Sequence, residues 1–189
     1  MKKLMLMTAL AVFGLFNANA QEFTFGAKAG VNFANFGGDD ADDLDGRTAF
    51  HVGGVANFGI SELFSVQPEL LYSAQGVEQT FEGVTGKVQV DYLNLPVLAK
   101  FMVADGLSIE AGPQVGFLLS AKAKGGEETR DITDELKGTD FSGVIGLGYQ
   151  MESGLNFGAR YNLGFSNIAE INEVDLKNNV IQVSVGFMF

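Results

Sequence analysis

The 189 residues contain no cysteine and no tryptophan, one histidine and three prolines. Without cysteine there is no disulfide framework, no thiolate metal site, no cysteine nucleophile and no lipid attachment at a processed N-terminus. The lone His51 excludes a multi-histidine metal centre. Basic residues are also scarce, 12 Lys and Arg against 23 Asp and Glu. Nucleic acid is therefore a poor partner, because its binding needs clustered cations that release counterions. Beyond residue 20 no apolar run approaches the roughly 18 residues of a membrane-crossing helix. The G-x-S-x-G elbow and the glycine-rich phosphate loops are missing as well.

What the chain has begins with its first twenty residues. Met1, Lys2 and Lys3 precede an apolar run from Leu4 to Phe16, closed by Asn17, Ala18, Asn19 and Ala20. A basic start, a short hydrophobic segment and an A-x-A site form a secretory signal peptide, and the run is too short to anchor in a bilayer. Residues 1–20 are thus expected to be cleaved, and residues 21–189 to form one domain. Cleavage removes two lysines and no acid, leaving 10 basic residues against 23 acidic ones, a net charge of −13.

Glycine (25) and phenylalanine (17) are abundant, which suits strands that bend and close on themselves. Side chains of a strand point to opposite faces with period two, and the chain alternates in that period eight times. Phe23, Phe25, Ala27, Ala29, Val31 and Phe33 oppose Thr24, Gly26, Lys28, Gly30 and Asn32; Phe50, Val52, Gly54, Ala56 and Phe58 oppose His51, Gly53, Val55 and Asn57. Comparable sets follow at Phe64–Ser73, 87–102, Leu107–Ser120, Phe141–Gln150, Leu155–Ser166 and Ile181–Phe189. In the fourth, Val88 and Val90 fall on the polar parity of the later half, and a β-bulge near Tyr92 is expected to reconcile the halves.

Connections alternate too. Gly59 to Glu62, Val103 to Gly106 and Met151 to Gly154 are short; Ala34 to Arg47, Gln75 to Gly86, Ala121 to Thr139 and Asn167 to Asn178 are long and polar. Outer-membrane barrels place short turns in the periplasm and long loops outside. The expected fold is all-β, an eight-stranded antiparallel up-and-down transmembrane barrel. A soluble barrel would also alternate, but with its apolar face inward; the Gly-, Ser- and Asn-rich opposite face here suits a narrow lumen better than a solvated exterior. Tyr72, Tyr149, Tyr161 and Phe189 are candidates for an interfacial girdle that has no tryptophan.

The terminal Phe187, Met188 and Phe189 resemble the signal read by the barrel assembly machinery. Together with Phe25–Asn32 and Tyr92–Lys100, they make the mature chain similar to the PorT-like outer-membrane β-barrels of Bacteroidetes. That resemblance implies outer-membrane lipid and the assembly machinery as partners, and an association with protein secretion.

Lys28, Glu69, Lys100, Glu110, Arg160 and His51 share the inward parity. An eight-stranded barrel is about wide enough only for side chains, so these groups are expected to form a lumenal charge network that plugs it. The acidic run Asp39, Asp40, Asp42, Asp43 and Asp45 invites a calcium reading but fails EF-hand spacing, with Ala41 and Val52 where ligands belong; it reads as a solvated loop. His51 is the one histidine available as a base, and no catalytic, cofactor or metal residue is expected. The loop Gly125 to Lys137 suits a short surface helix or a partner contact. Three function classes remain: a monomeric structural or surface-interaction barrel acting through its long loops, a narrow solute channel or secretion-associated barrel, and a lipid A-modifying enzyme.

Overall fold

The computed structural model describes residues 23–37, 45–81, 84–125, 128–170 and 176–189. The signal-peptide segment, together with Asp39, Asp40, Asp42 and Asp43, lies outside the described residues. The strands are β1 (Phe23–Gly37), β2 (Asp45–Gly59), β3 (Phe64–Phe81), β4 (Val84–Ala104), β5 (Leu107–Gly125), β6 (Glu128–Asp131), β7 (Thr139–Gln150), β8 (Leu155–Gly164) and β9 (Lys177–Met188). Neighbours run β4-β3-β2-β1-β9-β8-β7-β5, and β4 pairs with β5. Eight antiparallel staves thus close on themselves, so that no strand edge is left facing hydrocarbon. The closing seam joins β1 to β9 from Gly26↔Met188 to Gly37↔Lys177.

The odd residues of β1, from Phe23 to Phe33, and their counterparts Phe50, Ile145, Leu147, Phe157 and Val183 stand exposed on the outside. The opposite parity is buried: Lys28, Asn32, His51, Glu69, Ser73, Asn94, Glu110, Arg160 and Gln182. A greasy exterior around a polar interior is the arrangement a bilayer requires and water forbids. Near the periplasmic end, Phe25 contacts Phe189, Phe187 contacts Phe189, and Phe23 contacts Phe58. Nearer the other end Phe50 meets Tyr72, while Tyr149, Tyr161 and Phe189 are outward and exposed.

The short turns fall where the alternation ended. Gly106 and Gly154 adopt φ of 73° and 89°, where a side chain is strained. The three prolines occupy three adjacent staves. The ladders run from Val55↔Glu69 to Phe58↔Val66, from Pro68↔Val97 to Leu71↔Asn94, and from Pro96↔Gln114 to Ala99↔Ala111. Each gap contains one of Pro68, Pro96 and Pro113, which have no N–H to donate.

Two expectations are corrected above the membrane band. Strands run on into the segments read as loops, so that β3 and β4 pair as far as Phe81↔Val84. The loop after β5, whose sequence suits a short surface helix or a partner contact, forms β6, paired with Lys122–Gly125, and one 3-10 turn at Thr133–Glu135. The bulge lies level with Tyr92 but in β5, since Asp91 pairs with Ser120 and Tyr92 with Leu118, leaving Leu119 extra. Val88 and Val90 therefore stay inside. They join Phe36, Val77, Tyr92, Ala121 and Ile168 in an apolar cluster at the outer end. There Asn35, Lys122 and Lys124 face outward and exposed, and Lys87 pairs with Glu78 at 2.9 Å. The wall's polarity inverts because water replaces lipid around it.

Val183→Arg would set a cation against the hydrocarbon. It should lower unfolding stability in vesicles by about 2–4 kcal/mol, read from urea titration of the refolded barrel.

Candidate functional site

Most wall residues that point inward bond to one another, while His51 Nε2, Tyr92 Oη, Asn94 Nδ2 and both amide atoms of Asn162 are buried without a hydrogen-bond partner among the described residues. Three strata result, stacked along the axis.

The lowest is ionic. Arg160 on β8 reaches across the lumen to Glu69 on β3, four staves away round the ring in either direction. Its two terminal nitrogens donate to the two carboxylate oxygens, each at 2.8 Å. This fork matches guanidinium to carboxylate geometry. The same guanidinium donates from Nε to Glu110 Oε2 at 2.8 Å. Lys28 Nζ donates to Glu69 Oε2 at 3.0 Å, and Gln67 Nε2 to Glu69 Oε1 at 2.7 Å. Lys100 is the outlying member, 3.8 Å from Glu110 Oε1. The side chain of Glu69 is wholly buried, so its charge is tolerable only because two cations and an amide hold it.

Glycine makes room for this cluster. A Cβ at Gly146 would lie 2.5 Å from Arg160 Cγ and 2.6 Å from the carbonyl of Ala159; one at Gly148 would lie 2.7 Å from Glu110 Oε1. The cavity remaining around Lys28, Lys100, Glu110 and Arg160 measures about 20 Å³, little more than the space of one water molecule.

The second stratum is built of amides and hydroxyls. Asn32 Nδ2 donates to Ser73 Oγ at 2.9 Å and to the carbonyl of Ala74 at 2.7 Å, and Gln182 Nε2 donates to Asn32 Oδ1 at 3.0 Å. His51 makes its hydrogen bond in this stratum, one rung from the charges. It lies opposite Gly30 and Ser73, whereas Lys28 lies opposite Gly53, one inward position lower on β2. Its Nδ1 is 2.7 Å from Asn32 Oδ1, and its Nε2 has no hydrogen-bond partner. Above it the buried Asp140 accepts from Ser166 Oγ at 2.8 Å and from Asn178 Nδ2 at 3.3 Å, and Asn178 also donates to Gln75. No cation pairs with Asp140 among the described residues. The parity of residues 140 and 178 was inward in the sequence pattern, but both fell in or beside segments read as loops.

The third stratum is the apolar cluster, closed by the loops. Ile132, Leu136 and Leu176 pack on it. Lys137 N donates to Ile168 O at 2.8 Å, and Ile168 N to Leu176 O at 2.9 Å. Leu136 bridges to Ala169. The connections after β5 and β8 are thereby tied together over the mouth, with Ile168 fully buried beneath them.

On the rim, Asp131 accepts from Thr133 N at 2.9 Å, which holds its carboxyl below the usual range. Arg130 pairs with Glu135. Asp45, the one member of the acidic run within the described residues, is exposed at the start of β2. No group of three or more acidic or histidine side chains suited to a metal occurs among the described residues.

The sequence matches the family described as outer membrane protein beta-barrel domain over residues 19–170. Comparison with curated proteins finds no match. Among solved structures, the fold is similar to the attachment invasion locus protein Ail of Yersinia pestis, at 15% identity and a TM-score of 0.56, covering 89% of this chain and 99% of that one. It is also similar to Neisserial surface protein A, at 12% identity and a TM-score of 0.60, covering 87% and 97%. A second structure of Ail, in complex with the heparin analogue sucrose octasulfate, matches at 15% identity and a TM-score of 0.55, covering 89% and 99%. At such identities the likeness is one of fold.

Arg160→Met would leave Glu69 and Glu110 buried and short of partners. The loss should be about 3–5 kcal/mol, measured by urea unfolding in detergent micelles. The pair Arg160→Met with Glu69→Leu should recover part of it, because the stranded charge goes as well.

Proposed function

We propose, from the premise that the chain belongs to the outer membrane protein beta-barrel domain family, that this outer-membrane barrel is a closed pillar that works through its outward-facing loops, as a structural or surface-interaction component of the envelope. The observation that carries this reading is the stacked filling of the lumen: an ion-pair layer with about 20 Å³ to spare, an amide layer, and an apolar cap tied across the mouth. An ion entering such a column would have to shed its hydration and break buried salt bridges. What remains accessible at the outer end is loop, the part of a rigid scaffold where contacts concentrate.

The fold relatives include proteins named for attachment and for the surface, which agrees with this reading at the level of fold. The polyanion seen with Ail does not transfer, because a chain of net −13 after cleavage repels such a ligand. The lipid bilayer is the barrel's medium. Recognition of Phe187 and Phe189 by the assembly machinery, the monomeric state and the finer PorT-like placement belong to the same proposal. PorT-like kinship keeps a secretion-associated role as the alternative.

The reading is also non-enzymatic. A hydroxyl nucleophile needs a base within hydrogen-bond reach. His51 Nε2 has no partner, and Nδ1 is engaged by an amide rather than a carboxylate.

Purified barrel in a planar bilayer should show no steady conductance; a wild-type current that changes on Arg160→Ala would overturn the plug. Exchanging the four long loops while keeping the strands should abolish any surface binding, scored by adhesion of loop-swapped cells. A deletion strain should keep its lipid A profile by mass spectrometry.

A further inference from the structure

The lower end of the lumen is unlike the upper. Below the ion-pair layer the barrel opens into a vestibule of about 360 Å³, whose lining includes Asn57, Ser65 and Gln150, with Glu62 and Glu152 on the periplasmic turns. A volume of that order is what small-molecule sites have. Of the charge network, Lys100 alone belongs to the vestibule's lining. Lys100 lines both the vestibule and the small cavity within the network.

Lys100 is also the least satisfied member of that network. The other contacts between charged groups span 2.6–3.0 Å, while Lys100 sits 3.8 Å from Glu110, whose Oε2 is taken by Arg160. That is beyond hydrogen-bond distance, and an ammonium carries three donors. Charge counting agrees. Lys28, Lys100 and Arg160 face Glu69 and Glu110, three cations against two anions. Of the further acids, Asp140 belongs to the stratum above and bonds Ser166 and Asn178, while Glu62 and Glu152 line the same vestibule but stand exposed on its turns. The unbalanced positive charge therefore rests at the floor of an open, hydrogen-bonding cavity.

We propose that this vestibule is a binding site for a small monocarboxylate drawn from the periplasm, its carboxylate pairing with the Lys100 ammonium. A singly charged carboxylate neutralises the surplus cation and meets the polar side chains of Asn57, Ser65 and Gln150. Glu62 and Glu152 stand at the mouth and repel polyanions, while tolerating a zwitterion whose ammonium points outward. The site is at the opposite end from the loops and needs no conduction, so it holds or fails independently of the loop-based reading.

Calorimetry on the refolded full barrel in zwitterionic micelles, with acetate, glycine and citrate as probes, tests it. Acetate and glycine should bind and citrate should not. Lys100→Gln should weaken acetate binding about tenfold or more, as expected for a charge-assisted contact. If that variant does not fold, Gln150→Glu, which keeps every member of the ion-pair network and adds a carboxylate beside Lys100, should abolish acetate binding instead. Glu62→Gln with Glu152→Gln should admit citrate. Absence of acetate binding to the wild type, unchanged affinity in folded Lys100→Gln, or citrate binding as tightly as acetate would each overturn the proposal.

Discussion

A backbone inside hydrocarbon has nothing but itself to satisfy its N–H and C=O groups, and the seam between β1 and β9 is where this chain meets that demand. Twelve residues of β1, from Gly26 to Gly37, are in register with β9. Once that seam is made, the ring has eight staves and its width is set. The interior then becomes a confined space that side chains must fill and neutralise. The polar strata, the glycines beneath Arg160 and the placement of each charge are consequences of this closure.

Within the ring the Glu69–Arg160 contact does what no ladder can, because it ties opposite walls. A carboxylate with no solvent exposure is costly unless compensated, and here compensation comes from β1, β3 and β8 together. The arrangement resists both a slip in register and a change in ring size, since either would withdraw a partner from Glu69. Lys100 is not drawn into it as closely, and so the network ends toward the periplasm in a charge less well matched than the rest.

Parity along each strand made the barrel legible: Phe23 to Phe33 on β1 and Leu155 to Leu163 on β8 show which face looks to lipid, and the inward placement of Lys28, His51, Glu69, Lys100, Glu110 and Arg160 follows from the same alternation. Height inside the barrel was not legible. His51 shares the parity of Lys28 and Glu69, yet it meets Asn32, because depth depends on the stagger between staves that are not neighbours in sequence. The upper half of β4 misled for another reason. Val88 and Val90 have the parity of Asn94 and Lys100, and a change from polar to apolar there suggested that the backbone switched face. The backbone keeps its face; the surroundings change. Tying of the loops through Ile168, Leu136 and Leu176 depends on contacts between distant segments and has no local signature.

The reversal of polarity along the wall marks a waterline. It passes between Phe33 and Asn35 on β1, between Leu93 and Asp91 on β4, and just beyond Leu119 on β5. Sinking the barrel by one rung would drag lysines and an aspartate into hydrocarbon, and lifting it would strip lipid from its phenylalanines. The protein therefore rides at a single depth. Since the staves themselves continue past that line as an apolar-filled collar, the height above the lipid at which the loops begin is set by strand length.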